Sequence, residues 1–192
     1  MYDKIHNLLM QKASISLDLE KELRKAWSYE KKLKRNDFLS KEGEIARYLY
    51  FVDSGAMKIY YLHDGKEICA GFAYDNSLIC SYPSFISNQP SDYYIQAIKP
   101  CTLLGIKRDD FYRIIEKHRE MERCWRIFTE EALLGRLQRE LEILTLTPVE
   151  KFERLITRSP HIFNIIPQKY LAAYLGMTPE TFSRAKAVFQ KS

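Results

Sequence analysis

The side chains best suited to chemistry in this sequence are gathered near its end. Thr178, Glu180, Thr181, Ser183, Arg184 and Lys186 follow closely on Gln168 and Lys169. None of them belongs to a nucleophile–base arrangement; what they share is an ability to hydrogen-bond a polar, anionic surface. An arginine in a DNA major groove pairs bidentately with guanine O6 and N7, which is worth about 1–3 kcal/mol of discrimination, and a glutamate accepts from cytosine N4. Arg184 and Glu180 are therefore the candidates for reading bases. Gln168, Lys169, Thr181, Ser183 and Lys186 suit phosphates, which fix position without specifying sequence. The Glu180–Arg184 spacing also suits an i,i+4 ion pair on a solvated helix, worth about 0.2–0.5 kcal/mol. The two roles are compatible.

Such side chains work only if a rigid element presents them, and residues 168–187 carry the pattern of two short helices crossing at a steep angle. Ala172 stands where crossing helices leave room for a small side chain, and Gly176 supplies the positive φ that ends the first helix. Leu171, Leu175, Met177, Phe182 and Ala185 occupy the inward positions. Thr178 can cap the second helix and Pro179 falls at its first position, where a missing N–H costs nothing. This is a helix-turn-helix pattern, with Tyr170 and Tyr174 as packing residues that keep wet hydroxyls.

The 192 residues are 46% hydrophobic and 29% charged, the composition of an ordinary soluble protein, and the formal net charge is +5. From Leu146 to Ser192 seven Lys or Arg, Lys191 among them, face three Glu, so most of the excess lies on the helix-turn-helix segment. That suits attraction to phosphates as well as it suits a basic solvated face. No apolar run approaches the roughly eighteen residues of a membrane span, and the N-terminus lacks a signal pattern, so a cytoplasmic protein without a membrane partner is expected. Cys69, Cys80, Cys101 and Cys124 show no C-x-x-C spacing, which favours buried thiols over metal or cluster ligands. His6, His63, His118 and His161 lie in no motif, and there is neither a G-x-S-x-G nor a phosphate-cradling glycine loop, so an enzyme is not expected.

The expected fold class is α+β, in three parts. Residues 1–108 begin with amphipathic pieces (Ile5, Leu8, Leu9; then Leu19, Leu23, Ala26 and Trp27, with Ser16 as cap) that lean on a larger body. From about Phe38 to Lys107, short β-rich runs alternate with turns, Asp64-Gly65 being the strongest hairpin signal, so a small antiparallel roll without a helix of useful length is predicted. The basic run Lys31, Lys32, Lys34, Arg35 reads best as a solvated strand face. Residues 109–146 turn helical, with a long helix from His118 to about Thr145 that carries two apolar seams. Met121, Trp125, Phe128 and Ala132 are expected to dock on the roll; Ile127, Leu134, Leu137, Leu141 and Leu144 are expected to pair with a second copy. Residues 147–192 open with Thr147-Pro148-Val149-Glu150, a capping box, and end in the helix-turn-helix.

A roll, a long helix and a C-terminal helix-turn-helix, in that order, resemble the Crp/Fnr family of bacterial transcription factors over almost the whole chain. The residues that carry the resemblance most specifically are Ala46–Gly55, similar to the opening of the family's cyclic-nucleotide-binding jelly roll, and Ile166–Arg184. The resemblance implies a dimer on double-stranded DNA, with RNA polymerase as a further partner. In relatives that bind cyclic AMP, a Gly-Glu pair and, about ten residues later, an Arg-Ser or Arg-Thr step hold the nucleotide. Here Cys80-Ser81 and Pro90-Ser91 stand at those places, so the phosphate would lack a charge-assisted partner worth about 2–3 kcal/mol. Control by cyclic AMP in that manner is not expected, and neither is a cofactor: the closely spaced N-terminal cysteines of cluster-bearing relatives are absent. The wing that follows the recognition helix in most relatives is not expected either. The effector is left unidentified. Phe72, Tyr74, Tyr82, Phe85 and Tyr94 either line an apolar ligand pocket or fill the roll, filling being favoured. The alternative to a DNA reader is a small-molecule or redox sensor whose helix-turn-helix makes protein contacts.

Overall fold

The computed structural model describes residues 1–190; Lys191, part of the basic excess, lies outside them. Two helices, α1 (Tyr2–Met10) and α2 (Leu17–Ala26), lead into eight strands: β1 (Tyr29–Leu33), β2 (Phe38–Ser40), β3 (Tyr48–Ser54), β4 (Ala56–His63), β5 (Lys66–Tyr74), β6 (Leu78–Ile79), β7 (Tyr94–Ala97) and β8 (Cys101–Lys107). They form two antiparallel sheets, ordered β1-β8-β3-β6 and β2-β7-β4-β5, a jelly-roll-like body. Leu33, Val52, Met57, Ile95 and Leu103 fill the space between the sheets. Asp64 and Gly65, both at positive φ, close a tight hairpin in which His63 pairs with Lys66. Lys32, Lys34 and Arg35 lie exposed on edge strand β1 and its turn. The roll does hold one short helix, α3 (Tyr82–Ser87), begun by Pro83 in its first turn and stopped by Asn88 in a left-handed conformation.

The remaining helices are α4 (Arg108–Lys117), α5 (Arg119–Thr145), α6 (Pro148–Arg158), α7 (Ile162–Ile165), α8 (Gln168–Tyr174) and α9 (Pro179–Phe189). Ser16 Oγ caps α2 by accepting from Leu19 N, and α1 and α2 then bury Ile5, Leu9, Leu19 and Leu23 with Phe51, Phe85, Phe111 and Met121. Thr147 and Glu150 form the capping box at the start of α6. Helix α5 changes character along its length. Met121 and Cys124 are buried and Trp125 and Phe128 half-buried against this core. Beyond them Leu133, Leu134, Leu137, Leu141 and Leu144 are 53–76% exposed, while Ile127 is half-buried. Glu142, nearly buried, anchors α6 by accepting from Arg158 Nη1 at 2.9 Å. Among the described residues no helix is long and apolar enough to cross a membrane.

Candidate DNA-reading surface and effector cavity

The turn between α8 and α9 is built from the chain's own backbone. Gly176 takes φ +68°, Met177 N donates to Ala172 O at 3.0 Å and Gly176 N to Ala173 O at 3.1 Å, the paired bonds of a Schellman end. Thr178 then accepts from Thr181 N at 3.2 Å, and Pro179 begins α9. Leu171, Ala172, Phe182 and Ala185 are buried beneath the crossing, together with Phe152 and Leu155 of α6. The opposite face is wet. Gln168, Lys169, Thr178, Glu180, Ser183 and Arg184 are exposed; Thr181 and Lys186 are half-buried. Arg184 touches its neighbours weakly, through a long 3.5 Å hydrogen bond from Nη2 to Thr181 Oγ1, and among the described residues it makes no ion pair with Glu180 within 4 Å. Backbone amide hydrogen bonding first, then the Thr178 hydroxyl and, least, Arg184 hold the Glu180 carboxyl below the usual carboxylate range.

The same helices rest on the outer face of β4 and β5, an arrangement that the sequence pattern does not show. Ala56 and Ile98 of the roll share the core of the helix-turn-helix. Phe72 packs on Tyr174 (5.4 Å between ring centroids), and the Tyr74 hydroxyl meets His161 Nε2 at 3.1 Å. Lys58, 5% exposed in mid-strand, is ion-paired with Glu67 and lies 4.2 Å from the Tyr60 ring centroid and 5.1 Å from that of Tyr170. Arg139 of α5 donates to the carbonyls of Cys69 (3.1 Å) and Tyr174 (2.8 Å) and stacks on the Tyr174 ring at 4.3 Å. One faint signal was available: a lysine amid Ala56, Met57, Ile59 and Tyr60 needs a buried partner.

Between the roll and α5 lies a cavity of about 690 Å³, reached by Tyr82 but not by Phe72, Phe85 or Tyr94. Phe85 is fully buried against Phe111 and Tyr112, Phe72 faces the helix-turn-helix, and Tyr94 stacks on Tyr60 and hydrogen-bonds Glu42. The four aromatics therefore do not converge. At the two places where the resemblance sets nucleotide-binding residues, Ser81 and Ser91 are buried and share a hydrogen bond of 2.6 Å. Ser91 Oγ also accepts from Tyr93 N at 2.9 Å. The nearby Arg108 is engaged: its Nε donates to Phe85 O at 2.6 Å and its Nη2 to Ile86 O at 3.2 Å, closing the end of α3. Burial raises the thiols of Cys69 and Cys124 to about 11 and that of Cys80 to about 12, so they are protonated near neutrality. Among the described residues no three His, Cys, Asp or Glu side chains converge as a metal-binding group.

Residues 30–118 match the family model described as cyclic nucleotide-binding domain. Comparison with curated proteins finds no match. Among solved structures, FixK2 from Bradyrhizobium japonicum superposes with a TM-score of 0.72 at 21% identity, over 85% of each chain. The c-di-GMP responsive global regulator CLP of Xanthomonas campestris gives 0.70 at 14% identity, over 92% of each chain. A CooA mutant from Carboxydothermus hydrogenoformans gives 0.67 at 19% identity, over 92% of this chain and 79% of that one. These likenesses are of fold. Residues 30–118 thus carry a cyclic nucleotide-binding domain, and most of the chain shares the fold of these structures, a jelly-roll-like body followed by helices.

Proposed function

We propose that this chain of Crp/Fnr architecture is a cytoplasmic, sequence-specific DNA-binding transcription regulator that acts as a homodimer and does not answer to cyclic AMP. The observation that carries the reading is the exposed polar face at the start of α9, where Thr178, Glu180, Ser183 and Arg184 stand on a capped, firmly packed helix. In a major groove such a helix turns its first residues to the base edges. Arg184 would pair with a guanine, and its weak tie to Thr181 leaves it ready to do so. Glu180 would accept from a cytosine. Gln168, Lys169, Thr181, Ser183 and Lys186 would hold phosphates.

Dimerisation is supported by the exposed leucines of α5: a row at 134, 137, 141 and 144 is the kind of apolar seam that a second copy of the helix covers. The two-fold relation would set two copies of α9 about one helical turn of DNA apart. Indifference to cyclic AMP is supported by the Ser81–Ser91 contact, which puts two neutral hydroxyls where a phosphate needs charge, and by Arg108, which is already committed to α3.

The test is selection of bound sequences from random duplex DNA by the purified chain. Enrichment of a two-fold palindrome, with binding that weakens steeply as salt rises, is expected. Recovery of no enriched sequence would overturn the reading and leave the helix-turn-helix as a protein-contact surface.

A further inference from the structure

Lys31 is the one cation of the run from Lys31 to Arg35 that is not exposed. Strand period two puts it on the face of β1 that also carries Tyr29 and Leu33, opposite Leu103 of β8, and both leucines are buried between the sheets. A lysine on such a face calls for an anion. Among the described residues its side chain makes neither a hydrogen bond nor an ion pair.

Lys31 borders a cavity of about 230 Å³ between the sheets, lined by β1 and β3 of one and by β2 and β7 of the other. Cys80 and Ser81 border both this space and the larger one beside α5. Its walls are rich in idle donors. The Arg47 guanidinium and the Tyr50 hydroxyl have no partner among the described residues, and Ser40 Oγ is buried without one. Burial first, then Tyr29 and Tyr48, pushes the Tyr50 phenol up, so it keeps its proton. The single carboxylate on the wall, Glu44, is exposed and already accepts from Lys41 N at 2.9 Å. Two cations against one carboxylate leave one positive charge to be met.

The remaining wall is flat and aromatic. Tyr29 stacks on Tyr48 with 4.6 Å between ring centroids, and Tyr50 lies 5.7 Å from Tyr48. Gly105 makes room for them, since a Cβ there would stand 2.9 Å from Tyr50 Cε1. Leu39 and Ile95, both buried, complete this side. The geometry points to a binding site for a small organic monocarboxylate with a single-ring aromatic body. Lys31, Arg47 and Ser40 hold the carboxylate, while the ring packs on the tyrosines, Leu39 and Ile95. The volume, below the range of about 300–1,000 Å³ for drug-sized ligands, sets that limit on size. Nothing in this assignment rests on the DNA-binding reading.

Three probes test it, titrated into the full chain at constant ionic strength and followed by calorimetry: benzoate, its uncharged isostere benzamide, and inorganic phosphate, an anion without the ring. Benzoate should bind saturably, one per chain, and at least about tenfold more tightly than either of the others, the worth of a charge-assisted contact. Lys31→Met should weaken benzoate at least about tenfold, and Lys32→Met, exposed on the same strand, should leave it unchanged. Arg47→Met, at an exposed position, is the second variant should the first disturb folding, with a loss of at least about threefold expected. No saturable binding of benzoate overturns the site and leaves Lys31 as a charge that guards the edge strand against pairing. Equal binding of benzamide overturns the role of the carboxylate, and equal binding of phosphate that of the ring. Undiminished binding in the folded variants, or an equal loss in Lys32→Met, places the anion elsewhere and overturns the assignment.

Discussion

Gly55 and Gly176 both hold a positive φ, +110° and +68°, but for different reasons. A Cβ at Gly176 would meet nothing within 4 Å, so only the local backbone asks for glycine there: the Schellman turn needs a left-handed residue. A Cβ at Gly55 would stand 2.4 Å from Pro100 O and 2.6 Å from Cys101 Sγ, so the demand comes from a segment far along the chain, pressed against the β3–β4 turn. The helix-turn-helix is specified by neighbours in sequence, the roll by neighbours in space. The largest effect that sharpens this contrast is the loss in Gly55→Ala, where backbone strain and an overpacked contact add to about 2–5 kcal/mol of stability, against about 1–2 kcal/mol for Gly176→Ala. Urea denaturation of the two variants checks it. Equal losses would break the comparison.

The same contrast explains what the sequence made legible. Ala172, Gly176, Thr178 and Pro179 lie close together in the chain, and the end of α8 and the cap of α9 were readable from them. The Asp64-Gly65 hairpin and the Thr147–Glu150 box are local in the same way. The aromatic residues of the roll are not. Whether Phe72 looks into the roll or out onto Tyr174 depends on which face of β5 the helix-turn-helix covers, a fact set by α5 and α8 rather than by the strand. Phe85 and Tyr82 are three residues apart on α3, yet one is sealed in the core and the other reaches the cavity. The clamp of Lys58 and Arg139 joins residues more than thirty positions from their helix-turn-helix partners, beyond the reach of any periodicity.

The proposed function gives the next contrast, between side chains that would read bases and side chains that would hold phosphates. Arg184→Ala should cost about 1–3 kcal/mol of affinity on a selected duplex and relax preference at one base pair. Lys186→Ala should weaken selected and random duplexes alike and flatten the salt dependence. Fluorescence anisotropy across a set of single-base variants separates the two. An equal loss on cognate and random DNA for Arg184→Ala would remove its base-reading role. Smaller again is Thr178→Ala, which deletes the cap of α9 while leaving Glu180 and Arg184 in place; about 1 kcal/mol of stability should be lost, seen in the midpoint of thermal unfolding.

The smallest effect concerns the two capping carboxylates, which belong to the local side of the contrast and should behave as such. The Glu150 carboxyl is held below its ordinary value of 4.5, first by the Thr147 hydroxyl and then by the Thr147 backbone N–H. Glu180 lies low as well, through its backbone amide and Thr178. A carboxyl whose folded pKa is depressed stabilises the fold fully above its unfolded pKa, and that contribution fades as the pH falls through the folded one. The thermal midpoint of Glu150→Gln should therefore lie below that of the native chain at neutral pH, and the two should converge as the pH falls through the lowered pKa of the native carboxyl. Because both groups are exposed, the gap should be small and should leave the roll untouched. A gap that persists unchanged into acid would mean that Glu150 acts through packing and not through the charge it presents to the first turn of α6.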